Sequence, residues 1–89
     1  MTPAEAILTL CHRRGAGKTI CPSEAARLLG EDWRAEMDAV RDAAALLARQ
    51  GEIHITQKGH PVAPGEISGP VRLGLVPGAK PRGRMAEPS

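Results

Sequence analysis

Apolar residues recur along this chain in two rhythms. Over residues 33–49 they fall at Trp33, Met37, Val40, Ala44 and Leu47, spacings of four and three that give an α-helix one apolar stripe. Over residues 51–59, "GEIHITQKG", Ile53 and Ile55 alternate with His54 and Thr56, the period of two of a half-buried strand. A second alternating run, "GPVRLGLV", brings Val71, Leu73 and Leu75 back toward them. The pattern predicts a long helix and then a two-stranded β-hairpin, joined by a loop that Pro61 and Pro64 stiffen.

Two shorter helices are expected earlier. Thr2, Pro3 and Glu5 form a T-x-x-E capping box with proline at the first helical position, and Ala4, Ile7, Leu8 and Cys11 then fall on one side. Gly15 ends that helix. Thr19–Ile20 is a short extended piece, and Cys21, preceding a proline, stays extended. Pro22 opens "PSEAARLL", with Ala25, Ala26 and Leu29 toward the core and Gly30 as its stop. Asp32 is placed to cap the third helix. Helix, strand, helix, tight turn, helix, hairpin is an α+β order, that of a winged helix-turn-helix domain. That domain is assigned to residues 1–76, and residues 77–89, poor in apolar side chains, to a disordered basic tail.

The chain's 89 residues suffice for one core, which must be built from small side chains: there is no Phe or Tyr, and Trp33 is the sole aromatic residue. No run of 18 apolar residues predicts a membrane span, and the N-terminus lacks the basic start of a signal peptide, so a cytoplasmic protein is expected. The net charge of +2 is a tail property: Lys80, Arg82 and Arg84 outweigh Glu87, while residues 1–76 carry nine Lys/Arg against nine Asp/Glu. The pI of about 8.8 is therefore not a basic face.

Several blocks, "CPSEAAR", "WRAEM", "VRDAA", "GEIHITQKG" and "GPVRLGL", occur here in order. The chain from Ile7 to Leu75 resembles a small bacterial family catalogued as domain of unknown function 3253. That resemblance implies a winged-helix-like fold. It supplies no activity.

The candidate partner is double-stranded DNA. In a helix-turn-helix the second helix of the pair lies in the major groove, which here would offer Arg34 and Arg41 to base edges, with Asp38 beside them. Ser23, Arg27, Lys58, His60 and Arg72 stand where such domains touch phosphates. Against this, Glu36, Asp38 and Asp42 share the third helix, and Arg34–Asp38 and Asp38–Arg41 have the spacing of surface ion pairs. The alternative is a protein-interaction module or homodimer of the same fold. Glu24 is expected to pair with an arginine of the third helix.

Other chemistries find little support. Cys21 precedes a helix N-terminus, a position that in general favours a thiolate, but C-x9-C is no redox motif and Cys11 lies on an apolar stripe. His12, His54, His60 and the two cysteines show no metal-ligand spacing. "GAGKT" has the end of a phosphate-binding loop, yet Arg13 stands where its first glycine belongs. No catalytic constellation emerges, so no enzyme, cofactor or metal is expected. Nothing marks a ligand pocket, and so small a domain has little room for an enclosed one.

Overall fold

The computed structural model describes residues 1–76 apart from Ala16 and Ser68. The tail assigned to residues 77–89 lies outside the described residues. Helix α1 spans Pro3–Arg14, strand β1 Thr19–Ile20, α2 Pro22–Leu29 and α3 Trp33–Arg49. Strands β2 (Ile53–Gln57), β3 (His60–Pro61) and β4 (Arg72–Leu75) follow, with a 3-10 turn at Pro64–Glu66. Three helices thus pack against one four-stranded antiparallel sheet of order β1-β4-β2-β3, an α+β fold compatible with a winged helix-turn-helix.

The helix ends follow from local chemistry. At α1 the capping box closes both ways: Glu5 N donates to Thr2 Oγ1 (3.1 Å) and Thr2 N to Glu5 Oε1 (2.8 Å). Helix α3 stops in a Schellman motif, with Gly51 N donating to Ala48 O (3.1 Å) and Glu52 N to Leu47 O (3.0 Å). Gly51 takes φ 77°, where a side chain would be strained. At the start of α3 the expected cap does not form. Asp32 makes no side-chain bond to the helix, and its carbonyl accepts from Ala35 N (3.1 Å) instead.

The sheet contains the expected pairing and adds to it. Ile53 faces Leu75 and Ile55 faces Leu73 across β2 and β4. The chain does not run from one to the other through a plain loop, however. Gln57 pairs with His60 across a two-residue turn of Lys58 (φ 53°) and Gly59 (φ 82°). Positive φ at both positions matches the right-handed twist of the flanking strands. Next to that pair Thr56 faces Pro61, and Val62 N still donates to Ile55 O (2.9 Å) beyond the proline, whose missing N–H falls at a pair that exchanges no ladder bonds. The chain then crosses beside α3 and re-enters as β4, between β1 and β2. Gly74 sits where three groups converge. A Cβ there would lie 3.0 Å from Lys18 O, 3.1 Å from His54 Nε2 and 3.2 Å from Thr19 Cγ2.

The core joins Ile7 and Cys11 of α1, Ala25 and Ala26 of α2, and Val40, Ala44 and Leu47 of α3 to Ile20, Ile53, Ile55, Val71 and Leu73 of the sheet side. Alanine at the α2–α3 contact lets the two helices approach closely, as the lack of Phe and Tyr requires. Trp33 and Met37 only partly enter the stripe; Trp33 begins α3 and keeps part of its indole in water. No helix among the described residues is long and apolar enough to cross a membrane.

Candidate nucleic-acid interface

The seven residues that the sequence offers for nucleic-acid contact lie in different environments. Two converge. Helix α2 ends at Leu29, the short link through Gly30 turns the chain, and Trp33 is the first residue of α3. That brings Arg27 from the last turn of α2 and Arg34 from the first turn of α3 to the same indole. Each guanidinium carbon lies 5.0 Å from the Trp33 ring centroid. A cation over an exposed indole gains roughly 0.5–1 kcal/mol, enough to orient a guanidinium without consuming its hydrogen-bond donors. Both arginines are exposed.

Among the described residues neither arginine is held by an acid. Among the described residues the ion pair that forms is Arg14–Glu24; the Arg34–Asp38 and Asp38–Arg41 pairs suggested by spacing do not form. The salt-linked face anticipated for α3 is therefore absent among the described residues. Arg41 behaves differently from Arg34. It is half-buried, and its Nη2 donates to Gly69 O (3.3 Å), bracing the segment before β4.

A second arginine cluster surrounds β1. Arg14 Nη1 donates to Thr19 O (3.0 Å), and Arg14 Nη2 pairs with Glu24 Oε1. The other oxygen of Glu24 accepts from Cys21 N (2.9 Å) at the head of α2. From the other side, Arg72 Nε donates to Thr19 Oγ1 (3.0 Å) and Arg72 Nη2 to Thr19 O (3.1 Å), while Nη1 donates to Cys21 Sγ. Arg72, expected on phosphate, thus ties β4 to β1. Glu24 binds an arginine of α1, not of α3, which corrects the sequence expectation. Its position at the third residue of α2 already commits one oxygen to the helix head and leaves the other toward α1.

Lys58 and His60 are exposed at the β2–β3 hairpin, and Ser23 is half-buried in the first turn of α2. Beside Lys58 lies an open cleft of about 350 Å³, lined by Cys21, Gln57, Lys58, Pro70, Val71 and Arg72. No sequence pattern marks it, because its walls come from three separate segments and share no periodicity.

The two thiols are both free and differently placed. Cys11 is 1% exposed, and its S–H points at Leu73 O (3.8 Å). Burial pushes its pKa up to about 11, Glu24 adds to the rise, and Arg14 opposes it. Cys21 is half-buried on the cleft wall. Among the described residues no three His, Cys, Asp or Glu side chains gather as a metal site.

What the sequence missed was the role of Trp33. The periodicity of α3 places it in the apolar stripe alone, although the stretch R-x5-W-R across a helix-helix turn also stands in the sequence. The chain matches, over residues 2–76, the family described as Protein of unknown function (DUF3253), and it belongs to that family. No curated protein matches it.

Proposed function

We propose that the chain is a non-enzymatic, cytoplasmic DNA-binding domain of winged helix-turn-helix type, of the kind that serves transcriptional regulators. The observation that supports this reading is the pair Arg27 and Arg34. Two guanidiniums from the two helices of the helix-turn-helix converge on Trp33, at the end of α3 that enters the major groove in such domains, and no carboxylate among the described residues pairs with them. Arg34 then reaches base edges and Arg27 a phosphate. Ser23, Lys58 and His60 flank them on the backbone. Arg41 and Arg72 hold the scaffold and lend only their spare donors.

A labelled random-sequence duplex, titrated by anisotropy across a salt series, tests the reading. Binding at low salt with a steep slope is expected, reduced by Arg27→Ala and Arg34→Ala. No binding at low salt overturns it.

One observation favours a second reading. Leu28 and Leu46 are 38% and 46% exposed on α2 and α3, and an acid-bearing α3 with exposed leucines suits a protein partner or a second copy of this chain. Sedimentation at rising concentration checks the self-association branch.

A further inference from the structure

We propose that the cleft between β4, the β2–β3 turn and Cys21 is a binding site for a small organic carboxylate with an apolar body. The proposal goes beyond DNA binding and does not rest on it.

The cleft carries positive charge without a counterweight. Lys58 and Arg72 line it, and among the described residues no acid does. Lys58 is fixed to the cleft by its place in the turn, at φ 53° in the first of two positive-φ positions. Its ammonium has no ion-pair partner among the described residues. Arg72 is anchored by three of its donors, to Thr19 Oγ1, Thr19 O and Cys21 Sγ. A guanidinium has five, so two remain, and their direction is set by the three that are used. An anchored fork with spare donors suits a carboxylate better than a freely rotating cation would.

The remaining walls are apolar. Val71 is 3% exposed, Pro70 lies beside it, and the amide of Gln57, also in the wall, donates to Pro70 O (3.1 Å). A volume of about 350 Å³ falls at the small end of ligand sites. Apolar walls give no return to a strongly hydrated phosphate dianion. They favour an anion with an aromatic or branched body, held at one end by Arg72 and Lys58.

Cys21 supplies a reporter inside the cleft. Its thiolate attacks an aromatic disulfide, the S–S bond breaks, one aromatic thiolate leaves, and the protein keeps a mixed disulfide. Cys11 stays silent, because it is buried and its pKa stands at about 11. The intact chain is treated at low salt with 5,5′-dithiobis(2-nitrobenzoate), which carries carboxylates, and with uncharged 4,4′-dithiodipyridine. The ratio of the two rates is compared with that of N-acetylcysteine amide. A ratio at least about fivefold above the reference is expected, the rate gain that a local positive potential gives an anion. Lys58→Gln, at a turn tip remote from the core, should return the ratio toward the reference, and millimolar benzoate should slow labelling where benzyl alcohol does not. A ratio equal to the reference, indifference to Lys58→Gln, or equal protection by the two aromatic compounds overturns the site. Should Cys21 react with neither reagent, amide shifts on adding benzoate decide: movement at Lys58 and Val71 supports the site, and stillness overturns it.

Discussion

Two arginine clusters lie on this small domain, and they differ in what their guanidiniums touch. Around β1, Arg14 and Arg72 converge on the single carbonyl of Thr19 and spend half of their donors on backbone, hydroxyl, thiol and carboxylate. At the α2–α3 turn, Arg27 and Arg34 rest on the face of Trp33. The first cluster fastens β1, a two-residue strand that is otherwise held by its pairing with β4 and the burial of Ile20. The second is oriented by a ring that takes no donor. Identical side chains thus serve cohesion in one place and remain available in the other, and neither formal charge nor position in the sequence distinguishes them.

The comparison breaks most severely at Gly74. Valine there would crowd Lys18 O and His54 together and part β1 from β4, so Gly74→Val should cost about 3 kcal/mol in urea unfolding. Retention of wild-type stability would show that β1 is not clamped against β4.

Cys11 reads the field of the same cluster. The folded thiol titrates near 11, above its unfolded value of about 9, so the folded chain holds its proton where the unfolded chain loses it. The stabilisation is complete below pH 9 and is lost as pH rises through 9 to 11, a fall of about 2 kcal/mol. Cys11→Ala should flatten that alkaline limb. Glu24→Gln should lower the thiol pKa and shrink the limb, because Glu24 helps to raise it. A limb unchanged in Cys11→Ala assigns the loss elsewhere.

Smaller effects follow for the arginines themselves. Arg72→Gln should cost about 1 kcal/mol, since its three bonds are made at an exposed site. Arg14→Ala should cost less, about 0.5 kcal/mol, because the Arg14 and Glu24 side chains are 45% and 29% exposed and solvent screens them. Smallest of all on stability is Arg27→Ala with Arg34→Ala, within about 0.5 kcal/mol of wild type. That double variant should instead lower the log–log salt slope of duplex binding by about 1, from the phosphate contact of Arg27, while Arg14→Ala leaves it unchanged. If Arg14→Ala moved the slope as much, the distinction between the clusters would fail.

Much of the fold was legible because each helix announces its ends. Thr2 and Glu5, Pro22, and Gly51 mark boundaries by chemistry confined to four or five residues. The β2–β4 register was legible from the alternation of Ile53, Ile55, Leu73 and Leu75. The β2–β3 hairpin was not, since Lys58–Gly59 lacks the Asn or Asp that usually marks such a turn and β3 is only two residues long. The site was less legible than the fold. Arg34 and Arg27 were found as candidates, but which arginines are engaged depends on Thr19, Glu24 and Gly69, groups distant in sequence that only the tertiary arrangement brings near.

The placement of β4 governs the order in which this protein can assemble. It is the last described strand in the chain and an inner strand of the sheet, flanked by β1 and β2. The three helices rest on contacts between neighbours in sequence and can collapse early. Strand β1 has no ladder partner until residues 72–75 arrive across more than fifty intervening residues. On a ribosome, the helical part therefore waits with one side of its core uncovered, and closure of the sheet is a single late, non-local event. Val71 and Leu73 would seal the apolar core in the same step that brings Arg72 to Thr19.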